Sequence, residues 1–219
     1  MKPLYLREDT ERQRERLAAT ARHLHRSGWM PGTSGSVSLR SGDAVLITAH
    51  DLDKGRMDAR DTVLIDPSEG LPLLGETEWP CAETPVHLAL HGYLPDCETV
   101  VHVRAAGVTT PAAFARGAGH AGPPAAERNL RSGPAGSTPT MLPALPARPD
   151  PGRTADEVRA ALDGTAAGAP AALLVADTGV FTWGRDLGEA LAALDGIEER
   201  SRSPLRPGAD APDPAGWTR

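Results

Sequence analysis

The stretch Glu98-Thr-Val-Val-His-Val-Arg104 decides the reading of this chain. Thr99 to Val103 is β-branched except at His102, the composition of a buried or half-buried strand. Alternation with period two puts Val101 and Val103 on one face, and Val100, His102 and Arg104 on the other. His102 and Arg104 therefore point the same way, toward the strand's carboxyl end, where Ala105-Ala106-Gly107 follows. A His-X-His in this place would clamp a metal between two neighbouring imidazoles. The chain carries His-X-Arg instead.

Upstream of this strand, Thr84-Pro85 opens a helix, with Thr84 as N-cap and Pro85 at the first helical position. Val86, Ala89, Leu90 and Tyr93 are its expected buried stripe. Glu83, His87 and His91, four residues apart, share a helical face. That face reads better as packed or surface histidines than as a metal cluster. Nearer the N-terminus, residues 9 to 27 predict a helix on Leu17, Ala21 and Leu24, stopped by Ser27-Gly28. A Gly/Ser loop then runs into a hairpin, with strands up to Arg40 and over Ala44–Thr48 and a turn at Ser41-Gly42-Asp43. Thr62 to Asp66 is a third strand.

Downstream, Val108 to Arg116 reads as a short helix and 117–139, rich in Gly, Ala and Pro, as a mobile loop. A strand is expected at Met141–Leu145. Thr154-Ala-Asp-Glu157 is a capping box opening a helix through Leu162. Ala171–Ala176 and Gly179–Trp183 are buried strands. Asp186-Leu-Gly-Glu189 caps a last helix whose apolar face is Leu187, Ala190, Leu191, Leu194 and Ile197. Residues 1–200 are expected to form one domain and 201–219 a disordered tail. This order of elements describes an α/β layered domain with a mixed sheet.

Composition narrows the function classes. A formal net charge of −6, with no Lys/Arg run against it, argues against a nucleic-acid partner. No apolar run is long enough to span a membrane. The opening Met-Lys-Pro-Leu-Tyr-Leu-Arg-Glu-Asp lacks the apolar core of a signal peptide. Cys81 and Cys97 make neither a disulfide framework nor a CxxC site, so a reduced, cytoplasmic protein is expected.

Four segments in order carry a resemblance: Gly32-Thr-Ser-Gly-Ser-Val-Ser38, Thr48 through Lys54-Gly55, Cys81-Ala-Glu-Thr-Pro-Val-His87, and Asp177-Thr-Gly-Val-Phe-Thr-Trp-Gly-Arg-Asp186. Together they resemble the class II aldolase/adducin family, and within it the methylthioribulose-1-phosphate dehydratase branch. The resemblance implies a three-layer αβα sandwich around a mixed, largely antiparallel sheet. It also implies a homotetramer acting on a small phosphorylated or carboxylated sugar-like substrate. Relatives of this kind hold zinc with three histidines, the zinc polarises a carbonyl, and a carboxylate moves the proton.

Mapped onto this chain, the resemblance gives Gly32, Thr33, Ser34, Gly35 and Ser36 as an anion-binding turn, with Lys54 and Cys81 beside the substrate. Glu83 is one candidate acid/base. Glu127 in Ala126-Glu-Arg-Asn-Leu130 is another. The chain departs from the pattern at Thr48-Ala-His-Asp51, where the family's second anion turn gains an acidic side chain. It departs most at the metal. His102 is the matching ligand, but Arg104 and Thr178 stand where the other two histidines belong, and Asp177 is one residue off. One imidazole does not hold a catalytic zinc, and a permanently charged guanidinium repels a dication.

No metal cofactor is therefore expected, and restoring the site should need Arg104→His and Thr178→His together. Two readings stay open. One is a zinc-independent or altered lyase in which Arg104 steadies an enolate oxygen and Glu83 or Glu127 is the base. The other is a non-catalytic oligomer that binds a small anion or a protein partner.

Overall fold

The computed structural model describes residues 5–104, 131–132, 140–141, 144–145, 150–163, 172–176 and 178–202. In chain order the elements are α1 (Thr10–Arg26), β1 (Ser36–Ser41), β2 (Ala44–Thr48), β3 (Thr62–Ile65), α2 (Thr84–Tyr93) and β4 (Thr99–Val103). Then come β5 (Arg131–Ser132), β6 (Thr140–Met141), β7 (Ala144–Leu145), α3 (Pro151–Asp163), β8 (Ala172–Val175), β9 (Gly179–Gly184) and α4 (Leu187–Arg202).

The β1–β2 hairpin sets the sheet. Leu39 lies opposite Leu46, and Gly42 turns the chain at φ 65°. A Cβ on Gly42 would sit 2.2 Å from the Tyr5 carbonyl oxygen, so the turn admits glycine alone. Strand order is β3-β2-β1-β4-β9-β8-β7. Every pair is antiparallel except β7 with β8, so the sheet is mixed and largely antiparallel as expected. β4 is the central strand, flanked by β1 and β9. Its burial on both faces explains its run of valines.

The alternation read from the sequence sorts the core into two layers. Val37, Leu46, Val101, Val103 and Val180 face α1 and α4, packing on Leu17, Ala21, Leu24, Leu187 and Leu194. Val100, Leu173, Phe181 and Trp183 face α2 and α3, packing on Val86, Leu90, Val158 and Leu162. Two helices on each face of one sheet make the αβα sandwich.

Several expectations are corrected. The N-cap of α2 is Glu83, and Thr84 is already helical, because its hydroxyl turns back to the Cys81 carbonyl at 2.7 Å. Tyr93, the last residue of α2, is 37% exposed; the buried stripe instead includes His87 and His91. α3 starts at Pro151, before the expected capping box. Asp150 receives the Gly152 N–H at 2.9 Å, and Pro151 suits the first turn. The strand expected over Met141–Leu145 is two pieces: β6 pairs with β5, inside the stretch read as a loop, and β7 joins the main sheet. At α4 the capping pattern holds, with Asp186 Oδ1 accepting the Glu189 N–H at 2.9 Å. The helix expected at Val108–Arg116, most of 117–139, and the tail beyond Arg202 lie outside the described residues.

Candidate active site

Strand β4 brings His102 to the centre of the α2-facing layer. Its partners across the ladder are Ser36 on β1 and Phe181 on β9. Phe181 stacks on the imidazole at 4.3 Å and 12°, and meets His87 edge-on at 5.7 Å. His102 is fully buried. Both ring nitrogens are engaged: Nε2 lies 3.0 Å from the Thr178 carbonyl oxygen and Nδ1 lies 3.3 Å from Ser36 Oγ.

The network continues inward. Ser36 Oγ lies 2.8 Å from His87 Nε2, Ser38 Oγ lies 2.8 Å from both His87 Nδ1 and His91 Nε2, and His91 Nδ1 lies 3.0 Å from the Cys97 carbonyl oxygen. All five side chains are buried. Two geometries make this possible. Residues i and i+2 of a strand stand about 6.8 Å apart, and residues i and i+4 of a helix rise about 6 Å. Ser36 and Ser38 on β1 therefore meet His87 and His91 on α2 in register. Ser-X-Ser on a strand with His-X3-His on a helix was the available signal, and the role of Ser38 was missed because neither half is diagnostic alone.

Burial holds these imidazoles neutral. It lowers the pKa of His87 well below the ordinary value, with His102 and His91 adding to the effect. It brings His91 to about 4, where the Cys97 carbonyl works against the shift and Arg40 adds to it. His102 is also lowered by burial, opposed by Glu83 and the Thr178 carbonyl and reinforced by Arg104 and Lys54. Glu83, Arg104 and Lys54 thus all act on the one imidazole. Glu83 is half-buried and Arg104 exposed.

The expected anion turn divides. Gly32 and Thr33 are exposed and Ser34 is half-buried, its hydroxyl donating to the Pro31 carbonyl at 2.6 Å. Gly35 has φ 84°, and a Cβ there would lie 2.6 Å from Met30 Cγ and 3.0 Å from the His102 carbonyl oxygen. Ser36 leaves the anion-binding set, because its hydroxyl is turned inward to His87 and His102. Lys54 also does not face solvent: it is 1% exposed, and its Nζ donates to the Thr33 and Leu52 carbonyls at 2.9 Å each. It fixes the shape of the Gly32–Ser34 turn from beneath. Burial lowers its pKa, against the pull of Cys81, Glu83, Asp51 and Asp53. Cys81 is likewise buried, its thiol pushed up to about 11 mainly by desolvation, so neither a thiolate nor an exposed thiol is presented to substrate. Asp51 is exposed at φ 53°, a left-handed position that aspartate tolerates. Glu127 and Asp177 lie outside the described residues.

These residues do not fit a three-histidine zinc. The Nε2 lone-pair direction of His102 is closed by the Thr178 carbonyl. Gly179 enforces that closure: at φ 141°, a Cβ would lie 2.1 Å from the Val103 carbonyl oxygen and 2.8 Å from His102 Nε2. Among the described residues no three His, Cys, Asp or Glu side chains are grouped to hold a metal. Nor is any described helix long and apolar enough to cross a membrane.

Residues 15–203 match the Class II Aldolase and Adducin N-terminal domain. A probable bifunctional methylthioribose-1-phosphate isomerase/methylthioribulose-1-phosphate dehydratase of Nocardia farcinica is 36% identical over 201 residues, 89% of this chain. The chain spans about a third of that protein's length (36%). The methylthioribulose-1-phosphate dehydratase of Methylococcus capsulatus is 28% identical over 83% of this chain and 87% of its own. Among solved structures, YgbL from Escherichia coli superposes with a TM-score of 0.70 at 21% identity, covering 93% of each chain. L-fuculose-1-phosphate aldolase from Thermus thermophilus superposes at 0.63 and 20% identity, over 87% of this chain and 92% of that one.

Proposed function

The chain belongs to the class II aldolase and adducin family, and on that premise we propose that it is a zinc-independent carbon–oxygen lyase acting on a small sugar phosphate or related acid. One observation carries the reading: at the family's metal position the histidine is sealed by the Thr178 carbonyl, while Arg104, one residue past the end of β4, sets a positive charge acting on the same imidazole. The fixed charge of Arg104 takes over the electrophile's part. A carboxylate, Glu83 or Glu127, removes the proton next to the substrate carbonyl, and the resulting enolate oxygen is held by charge-assisted hydrogen bonds from Arg104. Collapse of the enolate expels the β-hydroxyl, which takes up a proton and leaves as water. The exposed Gly32 and Thr33, held by Lys54, offer backbone N–H groups for the substrate's anionic end. The dehydratase relatives point to methylthioribulose 1-phosphate as the first substrate to try.

The test is turnover of methylthioribulose 1-phosphate with and without chelator, beside elemental analysis. Turnover that survives chelation and is lost in Arg104→Ala supports the reading. Chelator-sensitive turnover with about one zinc per chain overturns it. Exposed Asp51 in the second anion turn favours the other reading, a non-catalytic binder, which requires no turnover on any sugar phosphate. The proposal extends to a homo-oligomer, a tetramer by family resemblance, supported by the exposed apolar side chains of Leu71, Leu74 and Trp79. A monomer by light scattering at micromolar concentration counts against that extension.

A further inference from the structure

The two ends of β4 open on different places. His102 and Arg104 lie at its carboxyl end. At its amino end, Glu98 and Thr99 line a cavity of about 560 Å3, closed by one side of α1, the end of β1 and the turn before α4. Thr99 and Arg104 stand about 17 Å apart along an extended chain, so one small molecule does not fill both places. Charge sets this cavity apart. Arg7, Arg12, Arg16, Arg40 and Arg185 line it, against Asp9, Glu98 and Asp186. That is a surplus of two positive charges, on a chain whose net charge is −6.

Three of the five guanidiniums are committed. Arg7 donates to both Asp9 carboxylate oxygens, at 2.8 and 3.2 Å. Arg40 donates to the Cys97 carbonyl at 3.3 Å and pairs with Glu98 at 3.5 Å. Arg185 donates from Nε to Glu189 at 2.9 Å. Arg12 and Arg16 are exposed and make no ion pair among the described residues. Asp9 lies within the field of Arg12, but its carboxylate is held by Arg7. Arg12 and Arg16 are four apart on α1, so they stand on one face, about 6 Å apart in rise. Like charges in that relation repel and weaken the helix. Gln13, on the same side, donates from Nε2 to the Arg40 carbonyl at 3.2 Å and fixes this face of α1 over the end of β1.

We propose that this cavity is a second binding site, in which Arg12 and Arg16 hold the phosphate of a small phosphomonoester. An oxyanion between the two guanidiniums removes their repulsion, and each planar fork offers it parallel N–H donors. The rest of the cavity suits the rest of such a molecule. Leu39 and Leu187 give its carbon skeleton an apolar wall, and Glu98 and Asp186 supply acceptors for its hydroxyls. The volume lies in the ordinary range for a small-molecule site. The adjoining cavity shares Arg7, Asp9, Arg40 and Glu98 but has Glu8 in place of Arg12 and Arg16, so its balance is negative and it does not draw an anion. The site does not rest on the lyase reading.

Amide 1H–15N correlation spectra of the whole chain test it, with ribose 5-phosphate and ribose as probes and ionic strength held constant with sodium chloride. Millimolar ribose 5-phosphate is expected to move the amides of Arg12, Arg16 and Leu187, and ribose is expected not to. Arg12→Gln with Arg16→Gln should weaken the response of Leu187 about tenfold or more in affinity, whereas Arg104→Ala should leave it unchanged. Three results overturn the proposal: ribose 5-phosphate shifts confined to the Gly32–Thr33 and His102 region, shifts at α1 reproduced by chloride alone, or undiminished affinity in the double variant. Failure of the lyase reading would show instead as absent turnover with the α1 shifts intact. Both arginines are exposed and glutamine matches arginine in helix propensity, so the double variant should keep its far-UV circular dichroism. Should it not fold, the wild-type shifts alone still decide the matter.

Discussion

The two faces of the sheet solve burial differently. On the face toward α1 and α4, the centre of the sheet is Val37, Val101, Val103 and Val180, closed by aliphatic helix residues. Its cohesion is non-directional, proportional to the apolar area removed from water. On the face toward α2 and α3, the same three strands present Ser36, Ser38, His102 and Phe181 to a helix carrying His87 and His91. There, each polar group must find a partner in the right direction or leave a desolvated one unmade. The first face tolerates change in proportion to volume. The second tolerates it only if the line of contacts is kept.

Phe181→Ala should have the largest single effect. Phe181 is fully buried and touches both His87 and His102, so its loss opens a cavity and frees two imidazoles. Destabilisation of about 3–5 kcal/mol is expected, read by urea unfolding, against about 2–5 kcal/mol for Leu46→Ala on the apolar face. Near-equal and small effects would remove the contrast.

Acid comes next. The folded-state pKa of His91 is about 4, below the ordinary imidazole value, so between about pH 6.5 and 4 the unfolded chain binds more protons. Stability is fully present above about pH 6.5 and is lost as pH falls toward 4. Integrated over the window, His91 alone accounts for about 3 kcal/mol. His91→Gln should flatten that slope in a pH series of unfolding midpoints, whereas Leu46→Ala should shift the series without changing its shape.

Ser38→Ala removes a hydroxyl of about one methyl's bulk yet strands His87 Nδ1 and His91 Nε2. It is expected to cost about 1–3 kcal/mol. A matched removal of one methyl on the other face, Ile197→Val, leaves nothing polar unpaired. In Ser38→Thr, which keeps the hydroxyl, thermal unfolding should fall nearer wild type than in Ser38→Ala.

The smallest expected effect is on zinc. Arg104→His with Thr178→His adds two imidazoles to that of His102, which by sequence alone should rebuild the ligand set. The fold says otherwise: the 178 side chain changes, but its carbonyl still closes His102 Nε2, and Gly179 keeps the backbone there. Elemental analysis of the double variant should show no stoichiometric zinc. Tight zinc binding by that variant would mean the carbonyl yields easily and the two faces differ less than described.

Much of this was legible in residues alone because it is periodic. Alternation along Thr99–Val103 assigned each side chain its face, and the stripe on residues 9 to 27 placed α1, since both patterns depend only on local backbone geometry. The helix start at Pro151 rather than Thr154 was harder, because Asp150-Pro151 and the Thr154 capping box are both sound local signals, and the earlier one is the one made, with Asp150 accepting the Gly152 N–H. The inward turn of Ser36, the burial of Lys54 and Cys81, and the seal on His102 had no local signature. Each depends on what another segment places opposite: α2 against β1, the Gly32–Ser34 turn over Lys54, and Thr178–Gly179 against the end of β4. Sequence determined the layers and the residue types at positions 102, 104 and 178, since these follow from residue identity and period. The tertiary structure alone decided that His102 faces a serine and a carbonyl, since hydrogen bonds across 66 and 76 residues of chain are set by how the layers close.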